Sequence, residues 1–165
     1  MTIKVGDRMP EGKFKISTAD GPAEISAKDY FAGARVALFG LPGAFTPPCN
    51  GNHLPGFLAN EKALKAKGID KIACLAVNDV FVLKAWEDAS KAGGRVDFLS
   101  DGSADYVKAL GLERDMSGAV LAIGPEAFPL SATNASYRSL MSWTAPGRAP
   151  FPAQKACLPH SYARP

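Results

Sequence analysis

The sequence predicts an α/β domain in which helices cover both faces of a sheet that contains parallel strands. Two observations support this prediction. Between residues 34 and 123, short apolar segments typical of buried strands alternate with segments of helical periodicity, an order that places a parallel-containing sheet between helices. The chain has 165 residues, which most simply form one domain with a sizeable core.

The individual elements follow from turn signals and apolar periodicity. Residues 12–26 predict a hairpin, because Asp20-Gly21 is a turn pair between two alternating segments. Pro55-Gly56 is expected to bend the first helix, and Gly93 is expected to end the second. The remaining predicted elements are strands at 34–40, 70–78, 95–100 and 117–123, and helices at 47–67, 80–93 and 103–112.

Composition excludes several classes of function. The net charge of +3 gives no reason to propose nucleic acid as a partner. Three cysteines are too few for a disulfide framework in a chain of this length. No segment is apolar and long enough to span a membrane, and residues 1–13 lack the apolar core of a signal peptide. We therefore expect a cytoplasmic protein whose cysteines are free, metal-bound or catalytic.

The last quarter of the chain differs in composition from the rest. Seven of the 13 prolines lie between residues 124 and 165, and no Asp or Glu follows Glu126. This segment shows neither strand nor helix periodicity. The sequence thus predicts a folded domain over 1–123 and an irregular or partly disordered, proline-rich tail over 124–165.

Cys49 occupies the point where a predicted buried strand is followed by a helix. Thr46 is a favourable N-cap residue, and Pro47 suits the first helical position. Cys49 then lies in the first turn, where backbone N–H groups and the helix dipole favour an anion, so its thiol is expected to ionise readily and to react as the thiolate. The alternative is that Thr46-Pro47 only caps the helix and that Cys49 is a small packing residue.

The segment "PGAFTPPCNGNHLPGF" (42–57) closely resembles the active-site segment of the peroxiredoxins, specifically the type II, peroxiredoxin-5-like group. The family pattern Pro-x-x-x-Thr-x-x-Cys is met by Pro42, Thr46 and Cys49, and the His-Leu-Pro-Gly-Phe that follows is met by residues 53–57. The resemblance implies a thioredoxin-like fold with a central mixed sheet flanked by helices. It covers roughly residues 1–123, with further matches at 73–86, 98–112 and 115–119.

The resemblance also implies a role for each matched residue. Cys49 would attack the terminal oxygen of a hydroperoxide as its thiolate, leaving a sulfenic acid and releasing water or an alcohol. The Thr46 hydroxyl and the first-turn N–H groups would hydrogen-bond the peroxide oxygens, and Pro42 would shield the thiol from water. Phe45 and His53 are expected at the pocket rim. His53, four residues after Cys49, can equally be a helix-surface imidazole or have a direct role.

Two further cysteines are candidates for the resolving thiol. Cys74 lies in an apolar strand and would by itself be interpreted as a core residue. Its separation of 25 residues from Cys49 nevertheless occurs between peroxidatic and resolving cysteines in several type II members, although pairing would require local unfolding. Cys157 ranks below Cys74, because its local sequence does not resemble the C-terminal resolving segments of other members. No metal site is expected, since Cys49, His53 and Cys74 lack ligand spacing, and no cofactor is implied.

The leading function is therefore a thiol peroxidase that reduces hydrogen peroxide and small alkyl hydroperoxides. For its partners, the resemblance implies regeneration by glutaredoxin with glutathione or by thioredoxin, and association into a homodimer. Charge and hydropathy give no reason to expect nucleic acid or a membrane as a partner. The alternative is a non-catalytic thioredoxin-fold protein that acts as a redox sensor or interaction module. The intact set of Pro42, Thr46 and Cys49 favours the enzyme.

The resemblance fails at one functional position. After Ser-Gly-Ala the family has an Arg-Ser-x-Arg-aromatic segment, and its second arginine normally faces the catalytic cysteine, lowers the pKa of that thiol and binds peroxide. An ungapped alignment from residues 117–119 places Ala127 at this position. Three explanations stay open: a weakened or inactive paralogue, a basic residue such as Arg138 that reaches the site from the tail, or a frameshift that produced the tail.

Overall fold

The computed structural model describes residues 2–4 and 6–115, together with the backbone of strands at 124–125, 128–133 and 136–139. The strands are β1 (Lys13–Thr18), β2 (Gly21–Ser26), β3 (Arg35–Gly40), β4 (Lys71–Ala76), β5 (Asp97–Ser100), β6 (Glu113–Arg114), β7 (Gly124–Pro125), β8 (Phe128–Thr133) and β9 (Ser136–Ser139). The α-helices are α1 (Ala27–Phe31), α2 (Leu54–Ala66), α3 (Val80–Ser90) and α4 (Asp105–Leu110), and a π-helical turn, Cys49–His53, precedes α2.

Seven of the described strands form one sheet in the order β2-β1-β5-β4-β3-β8-β9. The central strands β3, β4 and β5 run parallel to one another. The outer strands β1, β2, β8 and β9 join the sheet by antiparallel pairing, while β6 and β7 form a separate short pair. The predicted α/β class with a mixed central sheet is confirmed.

The central strands are buried on both faces, which explains their continuous apolar sequences. In β3, Val36 and Leu38 point into the hydrophobic cluster that includes residues of α1 and α4. Ala37 and Phe39 alternate with them and point into a second cluster, to which α2 and α3 contribute. All four side chains have 0% exposed surface. The period of two along a strand therefore divides the core into two layers, one on each face of the sheet.

Two predicted boundaries are wrong by a few residues. In the hairpin, Thr18 pairs with Gly21, so the two-residue loop is Ala19-Asp20, and Gly21 is already the first residue of β2 with a φ of +109°. Helix α3 ends before Gly93, because Lys91 adopts the left-handed conformation and its N–H bonds the carbonyls of the last turn. The N–H of Ala92 also bonds the Glu87 carbonyl at 3.1 Å, which completes a Schellman motif without glycine.

The sequence predicted an irregular segment after residue 124, but part of this segment forms strands. Strand β8 pairs with β3 along its whole length, from Arg35↔Thr133 to Gly40↔Phe128, and β9 pairs with β8. Strand pairing uses backbone N–H and C=O groups and does not require alternating side chains. Both strands could therefore not be predicted from the side-chain periodicity of this segment. The predicted strand at 117–123 and the chain from 140 onward lie outside the described residues. The boundary between a domain over 1–123 and a tail stays a prediction.

Candidate active site

The loop that follows β3 is fixed to the neighbouring strand at the carboxyl edge of the sheet. The Leu41 N–H donates to the Leu75 carbonyl at 3.2 Å. Three residues further along, the Ala44 N–H donates to Asn78 Oδ1 at 2.8 Å. Asn78 follows β4, and its own carbonyl accepts a 2.8 Å hydrogen bond from Ser100 Oγ. These contacts hold the approach to the next helix in one conformation.

The helix begins after Thr46, as the sequence predicted. The Thr46 carbonyl accepts the first intrahelical hydrogen bond, from the Asn50 N–H at 2.8 Å. Its hydroxyl, however, donates to the Gly43 carbonyl at 2.9 Å and caps no helical N–H group, so the predicted side-chain cap is wrong. Pro47 and Pro48 have no N–H, so Cys49 is the first residue of this helix that carries a backbone N–H.

Cys49 opens a π-helical turn rather than an ordinary α-helical one. The N–H of Leu54 donates to the Cys49 carbonyl, five residues back, which widens the turn, and such turns recur at functional sites. The sequence predicted a bend of this helix at Pro55-Gly56, whereas the departure from α-helical geometry lies one turn earlier. Pro55 itself lies directly after this turn, in the first turn of α2, and has no N–H with which to bond a carbonyl of the preceding turn.

The Cys49 thiol lies inside the core layer beneath α2 and α3. Its side chain has 0% exposed surface and packs in the cluster that contains Phe39, Phe57, Cys74 and Trp86. Pro42, at the start of the loop, is buried as well. The structure therefore places Pro42, Thr46 and Cys49 on one continuous loop–helix segment, with the Cys49 thiol enclosed by the core.

His53 is a core residue and not a helix-surface one. The side chain is 7% exposed, and its ring centroid lies 5.6 Å from that of Phe39 and 6.1 Å from that of Phe57. Burial lowers the pKa of His53 from its usual 6.5, because an apolar environment disfavours the charged imidazolium. His53 is accordingly a neutral imidazole at neutral pH, four residues from the thiol.

Cys74 faces the same core layer as Cys49. It lies on β4 opposite Phe39 of β3, and both cysteines are reduced thiols with 0% exposed surface. Burial, together with the negative charge of the Cys49 thiolate, raises the pKa of Cys74 well above its usual value. Cys157 and Ala127 lie outside the described residues. Of the tail arginines, Arg138 is placed only by its backbone, opposite Ser131 on the pair β8–β9.

Three contacts of this site could not be found by sequence reasoning. Phe45 is half exposed and has a φ of +61°, and its ring centroid lies 6.3 Å from that of Trp86. The Trp86 Nε1–H donates to Asn50 Oδ1 at 2.7 Å. Asn78 fixes the loop through Ala44. Each contact joins residues more than 30 positions apart, and only the position of Asn78 after a central strand could have suggested one of them.

The fold and the site together define a class of protein. Within the described part of the chain, no group of three His, Cys, Asp or Glu side chains could hold a metal ion, and no helix there is both long and apolar enough to cross a bilayer. The chemistry available at the carboxyl edge of the sheet is that of a cysteine in the first turn of a helix, which is an environment that favours a reactive thiolate. The class is a thiol-based redox protein.

Comparisons with known proteins narrow this class. The Redoxin family model matches residues 4–126. Peroxiredoxin-2C of Oryza sativa subsp. japonica is 44% identical over 133 residues, which are 80% of this chain and 82% of that protein. The reduced Prx3 of Vibrio vulnificus in complex with H2O2 has a TM-score of 0.79 at 36% identity, covering 90% of this chain and 92% of that one. Peroxiredoxin 5 of Alvinella pompejana has a TM-score of 0.75 at 31% identity, over 83% and 87% of the two chains.

The chain therefore belongs to the Redoxin family, among the type II peroxiredoxins. The predicted thioredoxin-like fold is confirmed by the same neighbours. The function of this class is a thiol-dependent peroxidase activity, which consumes a hydroperoxide and is restored by a thiol reductant.

Proposed function

We propose that Cys49 is the residue of this peroxidase that reduces the hydroperoxide. The observation that carries the proposal is the position of its thiol in the first turn of the helix that begins at Pro47. The Cys49 thiolate attacks the terminal peroxide oxygen, and the O–O bond breaks. The released hydroxide or alkoxide takes up a proton to leave as water or an alcohol, while Cys49 becomes a sulfenic acid.

Thr46 and Pro42 support this step from the same segment. Since the Thr46 hydroxyl proton is directed to the Gly43 carbonyl, the oxygen lone pairs stay available to accept a hydrogen bond from the peroxide O–H. The backbone N–H groups of Thr46 and Cys49 lie at the positive end of the helix dipole, where they can stabilise the charge that develops on the leaving oxygen. Pro42, which is buried, excludes water from the thiol.

We propose that Cys74 resolves the sulfenic acid, with Cys157 as the second candidate. Attack of the Cys74 sulfur on the Cys49 sulfur forms a disulfide and releases water. The raised pKa of Cys74 means that it remains a thiol until the active-site turn moves and its surroundings change. A disulfide needs Cα atoms within about 7 Å and a specific orientation of the two sulfurs, and we propose that opening of the Cys49 turn provides this geometry. Glutaredoxin with glutathione, or thioredoxin, then reduces the disulfide or the sulfenic acid itself.

Two further proposals concern assembly and location. The exposed aromatic side chains of Phe45 and Phe81, with 50% and 71% of their surface accessible, support a homodimer that covers the surface beside the active-site loop. Light scattering tests this proposal, and a monomer mass at high protein concentration would contradict it. A cytoplasmic location is supported by the reduced cysteines at the site, since thiols stay reduced in that compartment.

A redox sensor is the second candidate, and Ala127 is the observation that favours it. A protein that lacks the family arginine can form a sulfenic acid without turning over efficiently. Peroxide consumption distinguishes the two functions: the enzyme consumes many equivalents when glutaredoxin with glutathione or thioredoxin is supplied, whereas the sensor consumes about one.

The residue assignments are tested by Cys49→Ser and Cys74→Ser in the same assay. We expect Cys49→Ser to abolish consumption, and Cys74→Ser to keep the first equivalent and to lose turnover with thioredoxin. More than a few per cent of activity in Cys49→Ser would contradict the role of Cys49. Full turnover of Cys74→Ser with both reductants would leave Cys74 as a core residue only.

A further inference from the structure

Trp86 lies beneath the active-site segment and contacts it on both sides of Cys49. Its ring centroid lies 6.3 Å from that of Phe45, four residues before the thiol. Its indole N–H donates to Asn50 Oδ1 at 2.7 Å, one residue after the thiol. Trp86 belongs to α3 and has 0% exposed surface. The segment that carries Cys49 is therefore held against α3 by the Trp86 side chain, which is itself fixed by its burial in the core.

The π-helical turn lies against α3 in the structure, and this arrangement is called the closed position. The hydrogen bond between Asn50 and Trp86 favours it. A buried N–H group without an acceptor is costly, because it has lost its hydrogen bonds to water. Asn50 supplies that acceptor only while the turn lies against α3. When the turn lifts away, the indole N–H loses this protein partner and must be hydrated. Removing the Asn50 oxygen therefore destabilises the closed turn specifically.

The closed and open positions suit different partners of Cys49. In the closed position the thiol has 0% exposed surface, so a bulky thiol cannot reach it. The proposed peroxide reaction takes place in this position, because it uses the first helical turn. The reducing thiol is larger or less mobile: it belongs to another molecule, or to Cys74 within the central strand β4. It must reach the Cys49 sulfur from the side opposite the sulfenic oxygen, forming a disulfide as water leaves.

We propose that the Asn50–Trp86 hydrogen bond sets how often the active-site turn opens, and thereby how readily a bulky thiol partner reaches Cys49. This inference rests on the proposed role of Cys49. Asn50 and Trp86 are positioning residues, because they act through the location of the turn and not by contact with the peroxide. Phe45 supports the same contact surface from the other side of the thiol.

The test compares hydrogen peroxide with a polyethylene glycol maleimide on the reduced full-length protein. Both reagents react with the same thiolate, so the ratio of their rates at Cys49 cancels the thiolate fraction, whereas only the maleimide requires the open turn. Peptide mass mapping makes the measurement specific for Cys49. In Asn50→Ala we expect the ratio of the bulky to the small reagent to rise about two- to tenfold, which is the effect of losing one hydrogen bond.

A second measurement follows the opening directly. Hydrogen exchange of the peptide that contains the π-helical turn should accelerate by a similar factor in Asn50→Ala, because exchange reports the local opening equilibrium. Asn52→Ala is the matched control: Asn52 lies in the same turn, and its side chain makes no hydrogen bond within the described part of the chain. Asn50→Asp retains an oxygen acceptor and should restore wild-type exchange.

The inference is overturned if Asn50→Ala matches Asn52→Ala in both measurements. Should Asn50→Ala fail to fold, Trp86→Phe decides, since it removes the N–H donor and keeps an aromatic ring against Phe45 and Phe98; no change in exchange in that variant contradicts the inference. Failure of the proposed function is distinguishable, because hydrogen exchange does not depend on whether Cys49 reacts with peroxide.

Discussion

Replacing Thr46 by Val separates the structural role of its hydroxyl from its role in the reaction. The structure shows one hydrogen bond of this hydroxyl, to the Gly43 carbonyl at 2.9 Å, in a partly buried setting. Losing a single neutral hydrogen bond lowers the free energy of unfolding by about 0.5–1.5 kcal/mol. For a chain of this size that corresponds to a fall in Tm of roughly 1–6 °C.

The same substitution removes the oxygen that is proposed to orient the peroxide. Loss of one such contact at the reacting atoms lowers turnover on the order of a hundredfold, or about 2.7 kcal/mol of activation free energy. The effect on rate should therefore exceed the effect on stability. Peroxide consumption and urea unfolding of the same preparation measure the two quantities.

Thr18→Val is the matched control for this experiment. The Thr18 hydroxyl also donates to a glycine carbonyl three residues away, Gly21 at 2.7 Å, but it lies at the hairpin turn. Thr18→Val should lower stability to a similar or smaller extent and leave the peroxide rate unchanged. If Thr46→Val loses less than about tenfold in rate while its stability falls by the amount given above, the proposed contact with the peroxide is falsified, and Thr46 only shapes the loop.

Three other predictions test the core, a helix end and the missing arginine. Because burial lowers the pKa of His53, the unfolded chain binds a proton that the folded chain does not. The free energy of unfolding should therefore fall as the pH drops below about 6.5. Urea unfolding at several pH values should show a weaker pH dependence of this free energy in His53→Phe than in the wild type. Lys91→Gly should raise the free energy of unfolding by about 0.5–1 kcal/mol, because Lys91 holds a φ of +55° that glycine adopts without strain; unchanged or lower stability would contradict this reasoning. Ala127→Arg should raise the rate of peroxide consumption about tenfold or more. The reason is that the next residue, Phe128, pairs with Gly40, where β3 leads into the active-site loop. An equal gain from Ala89→Arg, on the exposed side of α3, would exclude a local effect.

The sequence alone determined the order of the central elements and the start of the active-site helix. Strands β3 and β4 were predictable because both faces are buried, which demands an unbroken apolar segment. The helix after Thr46 was predictable because a proline at the first helical position is a local backbone preference. The placement of Cys49 in the first turn follows from these two facts, since only a few residues separate the strand from the helix.

Packing decided the features that depend on residues distant in sequence. The Thr46 hydroxyl donates to the Gly43 carbonyl, three residues back, because the loop folds back on itself. His53 is buried because the π-helical turn directs it against the stacked rings of Phe39 and Phe57.

The position of the last described strands was likewise beyond sequence reasoning. Strand β8 lies against β3 through backbone hydrogen bonds, and these leave no periodic signal when the side chains are irregular. The contact between Asn50 and Trp86 joins residues that are 36 positions apart. Local preferences and periodicity are encoded in neighbouring residues, whereas the partner of a side chain is fixed only when separate helices and strands pack together.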